Sequence, residues 1–169
     1  MNSSYKLIAI TASLSLLLTS CGTAPVSLYF ISAQPKDGMQ KIGCEEYLIP
    51  VEKSLKKTTL EETIKTLLTA DPAQYGQGLS TASAFTDGYL EVDSTSEPES
   101  PTNSDPYRLY LKTVAGKGLS GACDTPRLKA QITETVGAYA RRKQAPFQIV
   151  LNGLLKNWEC LGDESGRCK

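Results

Sequence analysis

Histidine is absent from the 169 residues of this chain. Its absence excludes a Ser-His-Asp triad, a Cys-His catalytic pair and any metal site that uses imidazole. It also removes the side chain that usually changes charge near neutral pH. Hydrolytic enzymes are therefore disfavoured, and any catalysis would depend on carboxylates or lysine.

An excess of charge of either sign is also missing, because 18 basic residues balance 18 acidic ones. This balance leaves no basic footprint for nucleic acid, so we expect no nucleic-acid partner. The length fits one domain, and an apolar content of 40% is enough to bury a core. We expect neither a cofactor nor a bound metal.

The longest apolar run is short for a membrane span. Leu7–Leu18 is interrupted only by small residues, follows Lys6, and falls below the roughly 20 residues that cross a bilayer. Residues 1–20 therefore predict an export signal peptide, with an uncleaved anchor or a buried strand as the alternatives.

The end of this run, Leu18-Thr19-Ser20-Cys21, resembles the lipobox of bacterial lipoproteins. The resemblance implies cleavage before Cys21, acylation of that cysteine by fatty acids such as palmitate, and attachment to the extracytoplasmic face of a membrane. Gly22 is no aspartate-type retention signal, so delivery to an outer membrane is compatible with the sequence. Several acyl chains would make the attachment stable, whereas one is marginal.

The mature chain would start with a short tether, residues 21–25. Gly22 to Pro25 spans at most about 14 Å when extended, which holds the domain close to the bilayer. Removal of residues 1–20 removes one base, Lys6, and no acid, so the mature chain carries one net negative charge. The sequence therefore indicates anchoring by lipid, without a polybasic face.

Four cysteines remain after Cys21, and an even number in an exported chain predicts two disulfides. None is spaced as Cys-x-x-Cys, which disfavours zinc and thioredoxin-like sites. Three pairings are open. We favour Cys160–Cys168, as a local clasp within residues 156–169, together with Cys44–Cys123.

Residues 26–155 are predicted to form the domain. Thr59 and Glu62 match a capping box at the start of one helix, and a second helix starts near Asp124 or Thr125. Strands are predicted in PVSLYFISA, EEYLIPVEKS, DGYLEVD, YRLYLKTV and PFQIVLNG, with Pro50 favouring an edge or a bulge. This order predicts an α+β fold with one mixed or antiparallel sheet, two helices on one face, and disulfide staples.

Residues 93–106, DSTSEPESPTNSDP, are acidic and rich in proline and serine, which predicts a mobile loop. Its acids could gather a hard cation such as calcium, although a solvated loop is the favoured interpretation. These acids are Asp93, Glu97, Glu99 and Asp105.

Several of these stretches resemble the GerMN domain of sporulation, spore-germination and other envelope lipoproteins. The matching stretches are VSLYF, YLIPVEKSL, TLEETIKTLLTADP, GLSTA, GYLEVD, LKAQITETVGAYA and FQIVLNG, which together cover most of residues 26–155. The resemblance implies a non-catalytic envelope module. The acidic loop, the strand YRLYLKTV, the cysteines and the C-terminal tail depart from that pattern.

Small residues after the first helix offer the best binding candidate. They could expose backbone amides and hydroxyls to a glycan or peptide, although an ordinary turn is the favoured interpretation. The candidates are Gly78, Leu79, Ser80, Thr81 and Ser83. Tyr75 and Trp158 could add a surface aromatic patch, while Trp158 could equally pack against a disulfide.

Catalytic patterns are weaker. Ser54 and Lys57 match Ser-x-x-Lys, yet the companion motifs of penicillin-binding proteins are absent. The pairs Glu45-Glu46 and Glu61-Glu62 are sequence neighbours and do not face a common bond. We therefore predict a non-catalytic lipoprotein that binds an envelope protein or peptidoglycan. The alternatives are a cell-wall enzyme using carboxylates or Ser/Lys, and a peptidase inhibitor or structural plug.

Overall fold

The computed structural model describes residues 25–99, 105–119 and 121–163. Within these residues seven strands and four α-helices are present. The strands are β1 Val26–Ser32, β2 Gln40–Ile42, β3 Glu46–Lys53, β4 Leu79–Ser80, β5 Leu90–Ser96, β6 Tyr107–Thr113 and β7 Phe147–Leu151. The helices are α1 Leu60–Leu68, α2 Ser83–Thr86, α3 Asp124–Arg142 and α4 Leu155–Cys160.

The strands form two sheets, with the orders β2-β3-β1-β4 and β5-β6-β7. All pairs are antiparallel except β6 with β7. The α+β class with a disulfide is confirmed, but the strands do not join into the single sheet that we expected. The reason lies at the edge of β1, where β4 pairs with only Ile31 and Ser32 and helix α3 occupies much of the remainder.

One hydrophobic core joins both sheets to α1 and α3. The helices contact each other, and both contact β1. Each helix carries apolar residues at helical spacing along one face, and the central residues of that face are fully buried. These residues are Leu60, Ile64 and Leu67 of α1 and Leu128, Ile132 and Val136 of α3.

Helix α1 begins where the capping box predicts. The Thr59 hydroxyl accepts a hydrogen bond from the Glu62 backbone N–H at 3.2 Å. The carboxylate of Glu97, at the end of β5, accepts a second one from the Leu60 N–H at 3.0 Å. Two of the unpaired amides of the first turn are thus satisfied, one locally and one by a distant strand.

Buried polar side chains of α3 complete the backbone hydrogen bonding of β1. Thr135 Oγ1 accepts from the Tyr29 N–H at 3.2 Å, and Gln131 Nε2 donates to the Tyr29 carbonyl at 2.9 Å. Gln131 Oε1 also accepts from the Ala82 N–H at 2.7 Å. Both side chains are fully buried, so one helix turn takes the place of a neighbouring strand.

The same helix fixes the start of α2, because Asp124 Oδ1 accepts from the Ser83 N–H at 2.8 Å. Opposite Tyr29 in the sheet lies Pro50. Strand β2 pairs with β3 only over Glu46–Leu48, so Pro50 lies beyond it at an edge. The edge position predicted for this proline is confirmed. Among the residues that the structure describes, no strand pairs with β3 on that side of Pro50, so no ladder hydrogen bond is lost where proline lacks an N–H.

The predicted Cys44–Cys123 disulfide is confirmed, with a Cα–Cα distance of 5.8 Å and a sequence separation of 79 residues. Beside it, Arg127 Nε and Nη2 donate to the two carboxylate oxygens of Glu46 at 2.7 and 2.6 Å. This covalent and ionic junction ties the start of β3 to the first turns of α3. Cys160 is also disulfide-bonded, and its predicted partner, Cys168, lies outside the described residues.

Three local predictions need correction. Residues 93–96 belong to β5 rather than to the acidic loop, because residues 94–96 pair with Arg108–Tyr110 although their side chains are polar, and Asp93 lies at an irregularity within the strand. The small residues after the first helix, for which the sequence favours an ordinary turn, contain β4 and the start of α2, which tertiary hydrogen bonds hold in place. Helix α4 was not predicted, and it places Trp158 in the core.

We expect Gln131→Leu to lower the free energy of unfolding by about 2–5 kcal/mol. Leucine keeps the volume of the side chain, but it leaves the Tyr29 carbonyl and the Ala82 N–H buried without partners, at roughly 1–3 kcal/mol each. Urea denaturation measures the change. Gln77→Leu, at an exposed glutamine, is the control, and a loss below 1 kcal/mol in Gln131→Leu would contradict the assigned role.

Candidate functional site

Strand β1 joins two cavities that lie at its opposite ends. The first, the Val26 cavity, is lined by Pro25, Val26, Thr58, Tyr139, Arg142 and Lys143. The second, the Ser32 cleft, is lined by Ser32, Gln34, Pro35, Lys36, Ile49, Gln77 and Leu79. Six residue steps of about 3.3 Å separate the ends of β1, so the two cavities lie roughly 20 Å apart.

The Ser32 cleft has a volume of about 290 Å³ and a mixed lining. Ile49 and Leu79 provide apolar surface, while Gln34 and Gln77 provide exposed amide groups. Neither glutamine side chain has a hydrogen-bond partner among the described residues. Lys36 supplies the charged group of the lining. The cleft can therefore donate to and accept from a polar ligand.

Local hydrogen bonds shape both walls of the cleft. The Gln34 N–H donates to Ser32 Oγ at 3.1 Å, and Ser32 Oγ donates to the Gln34 carbonyl at 3.3 Å, which closes a tight serine turn. On the other wall, Gly78 has φ +74°, a conformation that favours glycine. Both walls are thus built on defined turns beside a paired strand.

The five residues that the sequence predicts to bind a ligand have different roles in the structure. Leu79 lines the cleft and Gly78 forms the adjoining turn. Ser80 Oγ donates to the Ile31 carbonyl at 3.4 Å, and the Ser83 N–H is taken by Asp124. The Thr81 side chain is half-buried and does not line the cleft. The segment therefore contributes one wall of the cleft. Its backbone amides at residues 82 and 83 donate to side chains of α3 and stabilise the fold.

Sequence reasoning missed the residues opposite this wall. Ser32, Gln34 and Lys36 follow β1 in a stretch that carries ordinary turn residues, and no motif distinguishes it. These residues line a cleft only because β4 pairs with the end of β1, which brings Leu79 opposite Ser32.

The acidic residues have separate roles. Asp93 and Glu91 both bind Lys112, at 3.5 and 3.3 Å. Glu97 caps α1, as described above, while Glu97, Glu99 and Asp105 line a cavity of about 380 Å³ that also contains Arg108. Among the described residues, no group of three or more acidic or cysteine side chains is placed to hold a metal ion. Residues 100–104 of the predicted loop lie outside that part.

The two predicted aromatic residues lie in structural contacts. Trp158 is 7% exposed and belongs to the core. Tyr75 packs on Phe30 with ring centroids 4.7 Å apart, and the Lys53 ammonium lies 5.1 Å from the Tyr75 ring centroid. Neither forms a free aromatic patch. Ser54 and Lys57 are exposed, and no hydrogen bond joins their side chains.

A buried tyrosine organises the Val26 end. Tyr139 is 5% exposed, and its single hydroxyl proton is shared between two acceptors, the Thr58 carbonyl at 3.0 Å and Glu97 Oε1 at 3.2 Å. Burial, with the nearby negative charge of Glu97 as the second cause, raises the pKa of the Tyr139 phenol far above its usual value. The phenol is therefore neutral and acts as a structural donor.

Comparison with known proteins gives no match to a protein-family model, to a curated protein or to a solved structure. The resemblance to the GerMN domain thus stays a prediction. Among the helices that the structure describes, none has the length and apolar character needed to cross a bilayer.

We expect the stability of the protein to fall above about pH 10, where an unfolded tyrosine ionises. Because the folded pKa of Tyr139 is raised, the folded state keeps a proton that the unfolded state loses, and this contribution declines by up to about 1.4 kcal/mol per pH unit. Tyr139→Phe should be less stable at pH 7 but decline less steeply. Urea denaturation between pH 8 and 11 measures both slopes, and equal slopes would contradict the assignment.

Proposed function

We propose that this protein is a lipoprotein of the bacterial cell envelope, held at an extracytoplasmic membrane face by acylated Cys21, whose domain binds a cell-wall polymer in the Ser32 cleft. The observation that carries the proposal is the direction of β1. Its first residue, Val26, follows Cys21 by five positions, and its last, Ser32, lines the cleft. The cleft therefore lies at the end of the domain remote from the tether.

The position of the folded domain supports the anchoring step. Val26 is already 4% exposed and paired with Lys53, so the core starts directly after Pro25. A tether of at most about 14 Å holds the Val26 end near the headgroups. The roughly 20 Å length of β1 then extends the binding surface outward, toward the wall.

The chemistry of the cleft supports a polymer ligand. Amide side chains pair with the hydroxyl, amide and carbonyl groups of glycans and peptides, because an amide both donates and accepts. Lys36 adds a cation that suits the carboxylates of peptidoglycan stem peptides. Ile49 and Leu79 would cover apolar parts of such a ligand. A protein partner is the second candidate, since a peptide backbone offers the same amide groups.

The anchoring step is tested at Cys21. We expect the N-terminal peptide of the native protein to begin at Cys21 and to carry the mass of a diacylglyceryl group with an amide-linked fatty acid. Cys21→Ser should incorporate no alkynyl fatty acid, whereas Ser20→Ala, which keeps a small residue before the cysteine, should incorporate it normally. A cysteine found without lipid in the native protein would overturn the anchoring.

The binding step is tested in the cleft. We expect Gln34→Ala/Gln77→Ala to lower co-sedimentation with purified sacculi at least fivefold, because two amide hydrogen-bonding groups are lost. The matched control is Gln40→Ala. Gln40 is exposed and pairs with Leu48, so its side chain lies on the face of the sheet opposite to Ile49.

Two outcomes would count against a cell-wall polymer as the ligand of the Ser32 cleft. Unchanged sedimentation of the double variant would remove the cleft from the site. Absence of sedimentation by the native protein, together with crosslinking of the cleft to an envelope protein, would favour the protein partner.

A further inference from the structure

The Val26 end of the domain collects exposed cations around the exit of the tether. Lys57 precedes Thr58, which lines the same cavity as Pro25, Arg142 and Lys143. Four exposed basic side chains line this cavity or lie just before Thr58 in the chain, and we call them the basic patch: Lys56, Lys57, Arg142 and Lys143. Lys53, which pairs with Val26 in the sheet, lies over the Tyr75 ring and is not counted with them.

Most of this charge is uncompensated within the described residues. Lys56, Lys57 and Lys143 form no ion pair there, and only Arg142 is paired, with Glu52 at 2.6 Å. That carboxylate is fully engaged, since hydrogen bonds from Ser27 and then Arg142 lower its pKa.

The other carboxylates at this end are mostly occupied. Glu97 binds the Leu60 N–H and the Tyr139 hydroxyl. Glu61 is paired with Lys65, one turn into α1. Asp105 has an interaction within the protein. Glu62 and Glu99 are exposed carboxylates without an ion pair or side-chain hydrogen bond among the described residues. Three lysines without an ion pair therefore lie at the same end as two such acids.

We infer that the basic patch is a docking surface for the anionic phospholipid headgroups of the membrane that holds Cys21. The inference rests on the proposed lipid anchor, since the short tether brings Pro25, and with it the patch, to the headgroup layer. Each lysine close to an anionic leaflet strengthens binding by roughly fivefold. Docking fixes the orientation of the domain, with β1 directed away from the bilayer and the Ser32 cleft exposed to the wall.

The wall of the Val26 cavity fits this role. Pro25, Val26 and Tyr139 form an apolar surface, and Arg142 and Lys143 lie at the same opening. A phosphate group bound by the two cations would lie beside the tether, in the plane where a lipid-linked cysteine must enter the bilayer. The whole chain is nearly neutral, but this does not oppose docking. Among the described residues, the fold places basic side chains without ion pairs together at the end that faces the membrane.

The test uses the full-length protein, purified from a bacterial host and reconstituted in vesicles of phosphatidylcholine alone or with 30% phosphatidylglycerol. Amine acetylation followed by mass spectrometry reports the exposure of each lysine. We expect Lys56, Lys57 and Lys143 to react at least threefold more slowly in the anionic vesicles. Lys36, in the remote cleft, should react equally in both, and 0.5 M salt should abolish the difference.

A charge-matched pair of variants separates docking from general attraction. In Lys57→Gln/Lys143→Gln, the protection of Lys56 should fall below 1.5-fold. In Lys36→Gln/Lys117→Gln, which loses the same charge at the other end of the domain, the protection of Lys56 should persist.

The two proposals fail in different ways. If Cys21 carries no lipid and the protein does not float with vesicles, the anchor is wrong. If the acylated protein floats but Lys56, Lys57 and Lys143 react equally in both vesicle types, or if Lys36 is protected to the same degree, the anchor stands and the docking surface is overturned.

Discussion

The fold depends on the way α3 completes the open edge of β1. Gln131 and Thr135 bind both backbone groups of Tyr29, and Gln131 reaches on to Ala82. Without these side chains, an interior strand would bury unpaired backbone groups, at roughly 1–3 kcal/mol each. Because a helix rather than a strand takes this edge, β5, β6 and β7 form a sheet of their own, and both sheets share the core beneath α1 and α3.

This arrangement also gives the domain two ends with different surfaces. Strands β1, β6 and β7 start at the Val26 end and run away from it, while α3 runs in the opposite direction. The disulfide and the Glu46–Arg127 pair fix the remote end, where the Ser32 cleft lies. Tyr139 and Glu97 fix the Val26 end. Each end is therefore held by its own polar junction, and the proposed binding and membrane surfaces are independent of each other.

Charge illustrates why composition is an incomplete guide. The chain has 18 basic and 18 acidic residues, and this balance by itself argues against a polybasic membrane face. In the structure, however, Glu52 and Glu97 are used in internal contacts, whereas Lys56, Lys57 and Lys143 are free among the described residues. Likewise, residues 93–99 read as a uniform acidic loop, but they include a paired strand, a partner for Lys112 and a cap for α1. Net charge does not record which charges are compensated.

Local signals in the sequence determined the elements whose causes are local. The Thr59 cap, the apolar faces of α1 and α3 and the edge position of Pro50 were all predictable from spacing and residue type. The cysteine count indicated disulfides, but it left three pairings open, and the fold selected Cys44–Cys123. The division into two sheets, the Ser32 cleft and the basic patch were decided only by tertiary structure. Each joins residues that are distant along the chain: Gln131 lies 102 positions from Tyr29. Such contacts depend on which backbone groups remain unpaired after the strands assemble, and no short stretch of sequence specifies that.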